Sequence, residues 1–280
     1  MEKIEFEELA KYSKWPKILF SNDKFKIKLK TEKEVMREFQ NEKWNDLIKF
    51  SKKNPNCFLY EIENAHLNPK EKDLFFFKNE FWLATNQEIL EYHLNLFENT
   101  ILPYLHGAKA LVELGAGFGS KILALAQRQS FSHIPLVALE YTKNGQELIK
   151  KISQAEGIKI LVGRCDFRSL EFDAHLIPKD SIIFTSYAAH YVPNIPQNFP
   201  ISLLKLRPKV IINFEPFYEH FSTNSMHDIM CRKYMELNDY TRNLVSVFEA
   251  NKNKILIINV TKKCIGTPFL PMSILEWRAR

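Results

Sequence analysis

From residue 110 onward, short apolar runs alternate with longer stretches of mixed polarity. Ala110 to Leu114, Leu136 to Glu140, Ile158 to Val162, Ser181 to Ser186 and Lys209 to Phe214 are short runs rich in branched side chains and read as strands. Lys121 to Arg128 and Gly145 to Ala155 carry helical spacing between them. Strands separated by helical crossovers predict an α/β fold around a parallel sheet. A helical region from Ser225 to Ala250 follows, and then two closing strands, Lys254 to Val260 and Ser273 to Trp277. The link between those strands holds Gly266, Pro268 and Pro271 but no helical pattern. It is too short for a parallel crossover, so the pair should form a hairpin and put an antiparallel strand into the sheet.

Upstream, Asn86 to Leu105 predicts a long helix. Thr85 or Asn86 should cap it with Glu88 in the first turn, and Pro103 should bend or end it. Residues 1–85 match no standard sheet unit. Glu32 to Phe50 predicts an amphipathic helix with Val35, Phe39, Leu47 and Phe50 among its apolar positions. Trp44, Phe75 to Phe77, Phe81 and Trp82 offer aromatic surface. The expected organisation is an N-terminal helical extension or substrate cap over residues 1–85 and a sheet domain over residues 86–280.

The 280 residues, 45% of them hydrophobic, suffice for one substantial core. The net charge of +6 comes without a dense basic block, so no nucleic-acid partner is expected. Cys57, Cys165, Cys231 and Cys264 are isolated, and the eight histidines form no HExxH-like pattern. Neither a disulfide framework nor a metal is expected. No apolar run approaches the roughly 20 residues of a spanning helix, and the start lacks a signal-like segment. The expectation is a cytoplasmic protein, monomer or homodimer, with no membrane partner.

The stretch LVELGAGFGSKILALA, Leu111 to Ala126, places Gly115, Gly117 and Gly119 where the first strand gives way to a helix. Ligands of such sheets sit beyond the carboxyl ends of the strands, and glycines let a ligand approach the backbone. A dinucleotide fingerprint needs a glycine at position 120, which is Ser120; Gly119-Ser120-Lys121 has the wrong order for a P-loop. Glu113 would also repel a pyrophosphate. The ligand should therefore lack phosphate and carry a cationic part, unless the turn binds nothing. Glu140, at the end of the next strand, can accept both hydroxyls of a ribose. In Gly163-Arg164-Cys165-Asp166-Phe167, Asp166 can accept from an adenine amino group or cap a surface turn, and Phe167 can pack on the ring.

VELGAGFG, LVALEYT and GRCDF together resemble the class I S-adenosylmethionine-dependent methyltransferases, over about residues 86–280. The resemblance implies a Rossmann-like sheet of seven strands with the last antiparallel, and S-adenosylmethionine as cofactor, leaving as S-adenosylhomocysteine. It implies that Glu113 helps hold the amino acid end. Gly115, Ala116 and Gly117 would pass under the methionine and ribose, in a turn completed by Phe118 and Gly119. Glu140, with Tyr141 beside it, would take the ribose; Asp166 and Phe167 would take the adenine. The loop opening at Ser186 would run beneath the methyl donor. INFEPFYEHF and NDYTRNL are similar to a subgroup of sugar or small-molecule O-methyltransferases, which often carry an acid and an amide where this chain has His190 and Tyr191.

The chemistry then needs positioning and, for a hydroxyl acceptor, a base. His190 suits that task because a free imidazole titrates near pH 6.5, although it can equally be a helix-start histidine bound to backbone. Tyr187 and Tyr191 would line the acceptor pocket. Glu215, fixed by Pro216, and the following Tyr218, Glu219 and His220 would bind the acceptor. Tyr240 and Arg242 would do so from the later helical region, with Arg242 recognising an anion or pairing with Asp239 or Glu236. The expected activity is methyl transfer to an oxygen of a small polar metabolite such as a sugar. The alternatives are an amide or amine nitrogen of a peptide, a nicotinamide-dependent oxidoreductase, and a non-catalytic nucleoside-binding module.

Overall fold

The computed structural model describes residues 1–21, 26–54, 57–67 and 72–280. In chain order the strands are β1 (Glu2–Ile4), β2 (Asp73–Phe77), β3 (Glu80–Ala84), β4 (Leu111–Leu114), β5 (Leu136–Leu139), β6 (Ile160–Gly163), β7 (Cys165–Asp166), β8 (Glu171–Phe172), β9 (Ile182–Ser186), β10 (Val210–Glu215), β11 (Ile255–Thr267) and β12 (Leu270–Ala279). The helices are α1 (Leu9–Tyr12), α2 (Trp15–Phe20), α3 (Glu32–Met36), α4 (Trp44–Lys53), α5 (Leu59–His66), α6 (Asn86–Ile101), α7 (Ser120–Ala126), α8 (Lys143–Ala155), α9 (Phe199–Leu204), α10 (Met226–Leu237) and α11 (Leu244–Ala250).

The main sheet runs β1-β3-β2-β11-β12-β10-β9-β4-β5-β6. Strands β6, β5, β4, β9 and β10 are parallel. β12 lies antiparallel to β10, and β11 antiparallel to β12. These seven are the expected Rossmann-like set with its closing antiparallel hairpin. This is the class I methyltransferase fold. The chain runs outward from β4 to β6 and then returns to lay β9 on the other side of β4. That reversal opens a crevice at the carboxyl ends of β4 and β9, where ligands of such sheets bind.

Both faces of the parallel strands are covered, which explains why those strands read as continuous apolar runs. Leu111, Ile182 and Ile212 point into a core shared with α6, α7 and α8. Their neighbours Val112, Ile183 and Ile211 point into a second core with α9 and α11. At the start of α6, Thr85 Oγ1 accepts from Glu88 N at 3.2 Å while Thr85 N donates to Glu88 Oε2 at 2.8 Å. This is the reciprocal cap expected from sequence.

Residues 1–85 hold the expected helices and also three strands that the sequence pattern did not reveal. Phe75 to Phe77 and Phe81–Trp82 form the β2–β3 hairpin, whose turn residues Lys78 and Asn79 have φ of 52° and 62°. β2 joins β11 through Phe76 and Phe77. The helix expected over Glu32 to Phe50 is present, but Arg37–Lys43 is wound as a π-helix between α3 and α4. The expected helical region Ser225 to Ala250 is split into α10 and α11 around Asp239, whose φ is 51°. The final hairpin is longer than expected. Pro271 is accommodated because the pairing of β12 with β10 begins only at Ser273.

Candidate active site

Where β4 ends, the chain turns through Gly115, Gly117 and Gly119, at φ of 75°, 59° and 86°. A Cβ on Gly115 would lie 2.4 Å from Ala188 Cβ and 3.0 Å from the Phe167 ring. Gly115 thus keeps three strand ends in contact: its own, the β7 loop and the β9 loop. A Cβ on Gly117 would lie 3.2 Å from the ring of Trp44, which covers the turn from above. Gly119 stands apart from the other two and caps α7. Gly115→Ala is expected to cost about 2 kcal/mol of stability, from left-handed strain plus the clash with Ala188; a thermal melt would measure it.

A cavity of about 300 Å³ lies over this turn. Among the residues expected to bind a cofactor, Glu113, Gly115, Ala116, Gly117, Phe118, Glu140, Tyr141, Asp166, Phe167 and Ser186 line it. Three acids from three strand ends therefore meet in one space. Glu113 is 2% exposed, and its Oε2 accepts from Ile122 N at 3.1 Å. Burial pushes its carboxyl up to about 8, against the opposing Ile122 N–H and Lys121 ammonium. Glu140 accepts from Gly117 N at 2.9 Å, and from Thr142 N at 3.0 Å and Thr142 Oγ1 at 2.6 Å. Burial pushes its carboxyl up, and those hydrogen bonds oppose the shift. The side chain that faces the cavity thus also ties the glycine turn to the start of α8. Asp166 Oδ1 accepts from Arg168 N at 2.9 Å. Cys165 links the same strand ends: its Sγ accepts from Gly115 N and donates to Leu139 O, both at 3.2 Å.

The N-terminal region closes the cavity from above with Val35, Phe39, Lys43, Trp44 and His66. Several hydrogen bonds fasten it down. Tyr141 Oη donates to Glu32 Oε1 at 2.7 Å, Asn144 N to Gln40 Oε1 at 3.0 Å, and Ser120 Oγ to Glu63 Oε1 at 2.5 Å. Glu38 bridges Lys30 at 2.5 Å and Lys43 at 2.7 Å. Desolvation between aromatic neighbours, then the Lys43 and Lys121 ammoniums, push His66 down to about 4. Of the aromatic residues expected to offer surface for a cap, Trp44 lines the cavity. Phe75 and Phe76 are instead buried at 1% exposure, in the main core and in the β2–β3 core. Val35, Lys43 and His66 carried no motif. The helical spacing of Val35, Phe39 and Trp44 was visible, but the face it presents depends on the π-helical turn.

The residues expected to handle the acceptor divide into two groups. Tyr187 and Tyr191 line the cavity. His190 and Glu215 do not; they are 1% and 0% exposed and lie behind that wall. Glu215 Oε1 accepts from Ala188 N and Ala189 N, both at 3.0 Å, and Oε2 lies 3.2 Å from His190 Nδ1. Glu215 is therefore the anchor of the β9 loop. Tyr240 packs its ring on His190 at 4.6 Å and is also outside the cavity.

Tyr218, Glu219, His220 and Arg242 are likewise drawn away from the cavity by other partners. Tyr218 Oη donates to Glu236 Oε1 at 2.5 Å, and Glu219 Oε1 accepts from Ser246 N at 3.2 Å. His220 Nδ1 lies 2.9 Å from Ser273 Oγ, its ring stacked on Phe217. Burial, then Lys262 and Lys263, push its pKa down to about 4. Arg242 is exposed and pairs with Asp239 at 3.4 Å, the alternative weighed from sequence. No group of three or more metal-ligating side chains occurs among the described residues. No helix among them is long and apolar enough to cross a membrane.

No protein-family model matches the chain, and no curated protein matches it either. Solved structures do. One is an O-methyltransferase (NcsB1) from neocarzinostatin biosynthesis, in complex with S-adenosylmethionine and 2-hydroxy-5-methyl naphthoic acid. It is 14% identical, with a TM-score of 0.42 over 70% of this chain and 59% of that one. The small RNA methyltransferase HEN1 is 17% identical, with a TM-score of 0.49 over 73% of this chain and 26% of that one. PigF with SAH is 13% identical, with a TM-score of 0.43 over 87% of this chain and 71% of that one. The chain thus spans less than two thirds of the first two.

Proposed function

We propose that this chain transfers a methyl group from S-adenosylmethionine to an oxygen of a small polar metabolite. One observation carries the reading: Glu113, Glu140 and Asp166 meet in a single cavity above a glycine turn. Three strand-end carboxyl groups suit the ribose hydroxyls, the adenine amino group and the cationic end of a phosphate-free nucleoside. The floor fits as well, because Gly115, Ala116 and Gly117 bring the main chain itself to the cavity wall.

S-adenosylmethionine would supply a sulfonium-bound methyl: the acceptor oxygen would form its bond to that carbon in line as the carbon–sulfur bond breaks, and S-adenosylhomocysteine would leave with the electron pair. The chain's own task is placement. Glu140 accepts the ribose hydroxyls and keeps the glycine turn in register. Asp166 accepts from the adenine amino group, with Phe167 against the ring. Glu113 faces the ammonium of the amino acid end. Glu215 holds Ala188 to His190 in place, so that the β9 loop borders the methyl from below. Tyr187 and Tyr191 bound the acceptor side, and the N-terminal cap excludes water. His190 stands behind the wall, its Nδ1 3.2 Å from Glu215 Oε2, and in this reading it assists by holding the β9 loop rather than by touching the acceptor.

The test is calorimetric titration with S-adenosylmethionine. Glu140→Ala is expected to weaken binding about thirtyfold, since it removes two charge-assisted bonds to the ribose. Unchanged affinity rejects the ribose assignment, and tight binding of a nicotinamide dinucleotide rejects the whole reading. For His190→Gln, the maximal rate is expected to fall about tenfold, with cofactor affinity within twofold and the shape of the pH-rate profile unchanged, as for a residue that positions the β9 loop. Loss of the acidic limb of the profile in the variant would make His190 the base instead.

A further inference from the structure

Trp44 is 6% exposed and lines the cavity, yet its indole Nε1 has no hydrogen-bond partner. Leaving such a donor dry and unpaired is costly, and native structures usually resolve it with a ligand, a water or a functional role. The ring is closely held. It stands 5.3 Å from Phe118, 5.5 Å from His66 and 5.4 Å from Phe39, centroid to centroid. Its edge covers Gly117. The indole therefore cannot turn its N–H toward solvent without dismantling that packing.

The charges around it define what the N–H can meet. Lys43 precedes it and lines the same cavity, together with Ser120 and Lys121. The ammoniums of Lys43 and Lys121 both act on the intervening His66 ring. Lys43 and Lys121 stand at the α7 end of the cavity, with Glu63 on Ser120 and Glu113 on Ile122 N beside them, while Asp166 and Glu140 occupy its other strand ends. The orphaned N–H calls for an acceptor oxygen, and the Lys43 and Lys121 ammoniums beside it favour an anionic one.

We propose that Trp44 is a ligand-contacting residue supplied by the cap. Its indole N–H donates to the carboxylate of the amino acid tail of the bound nucleoside. This rests on the methyl-donor reading and adds to it a residue from outside the sheet domain. It also makes cap docking and cofactor occupancy favour each other, because the N–H is satisfied only when both are in place.

The experiment removes the donor from the protein and the acceptor from the ligand in turn. Trp44→Phe keeps an aromatic ring and deletes the N–H. Calorimetry would compare S-adenosylhomocysteine with 5′-methylthioadenosine, which keeps the nucleoside and thioether but lacks the amino acid tail. Trp44→Phe is expected to weaken S-adenosylhomocysteine about tenfold and to change 5′-methylthioadenosine by less than twofold. Equal losses for both ligands, or no loss for either, overturn the proposal. A second readout uses the wild-type full chain. The indole N–H resonance assigned to Trp44 should move downfield with S-adenosylhomocysteine and stay put with 5′-methylthioadenosine; the same movement with both ligands overturns it. Should wild type bind neither ligand, the methyl-donor reading itself has failed. If it binds both and Trp44→Phe shows no difference between them, only this inference has.

Discussion

Deleting residues 1–85 is expected to leave a chain that does not fold, rather than a working cofactor-binding domain without its cap. The N-terminal region shares the principal core: Trp44, Leu47, Ile48, Leu59, Ile62, Phe75 and Ala84 pack in one cluster with Phe97, Leu123 and Phe214 of the sheet domain. A second cluster joins Ile4, Leu9, Leu19, Leu74 and Phe76 to Met230 and Phe269. Each large apolar side chain returned to water, or left facing it, forfeits about 1.5–3 kcal/mol. A typical domain has about 5–15 kcal/mol in total. Loss of a dozen such partners exceeds that margin even after discounting for relaxation. Deletion also strips β2 from β11 and exposes the edge at Ile265 and Gly266. The measurement is soluble yield and a thermal melt. A cooperative melt within a few degrees of the full chain would show the extension to be a separable appendage.

The parallel half of the fold was legible because burial on both faces forces whole strands to be apolar. Leu111–Leu114 and Val210–Glu215 are buried at every position. The capping pair Thr85–Glu88 was legible because its chemistry is local. The β2–β3 hairpin was not: its turn, Lys78–Asn79, adopts positive φ without glycine, and its strands are specified by partners nearly 190 residues away at Ile265 and Gly266. The site divides along the same line. Glycines and strand-end acids announce the cavity floor, since their positions follow from the crossover pattern. The roof depends on how a π-helical turn rotates Phe39, Lys43 and Trp44, and no local signal encodes that rotation. Glu215 and His190 show a third case. Their residue types suggested contact with an acceptor, whereas backbone N–H groups of the β9 loop needed an anchor and took the carboxylate first.

Glu113→Gln is expected to make the free protein more stable and the cofactor bind more weakly. The carboxyl of Glu113 sits at about 8 in the folded chain, against 4.5 for the free side chain, chiefly because burial disfavours the charge. Below pH 4.5 both folded and unfolded chains hold the proton, so the group is neutral in the balance. Between pH 4.5 and about 8 the unfolded chain releases its proton while the folded one keeps it, so stability falls as pH rises. Above about 8 the loss is complete. A shift of about 3.5 units corresponds to roughly 5 kcal/mol at 1.36 kcal/mol per unit, an upper bound once the site relaxes. Gln does not titrate and can still accept from Ile122 N. The variant should therefore melt higher than wild type near pH 8 and show little difference near pH 4.5. Binding reverses the preference. An ammonium beside Glu113 favours the carboxylate, so at pH 7 the wild type should release close to one proton on binding S-adenosylmethionine. Titrations in two buffers of different ionisation enthalpy count that proton. Glu113→Gln should release none, with affinity reduced about a hundredfold, the scale of a buried charge pair with one partner removed. A wild type that binds without releasing a proton at pH 7 would separate Glu113 from the ammonium, and with it the acid at the strand end from its assigned task.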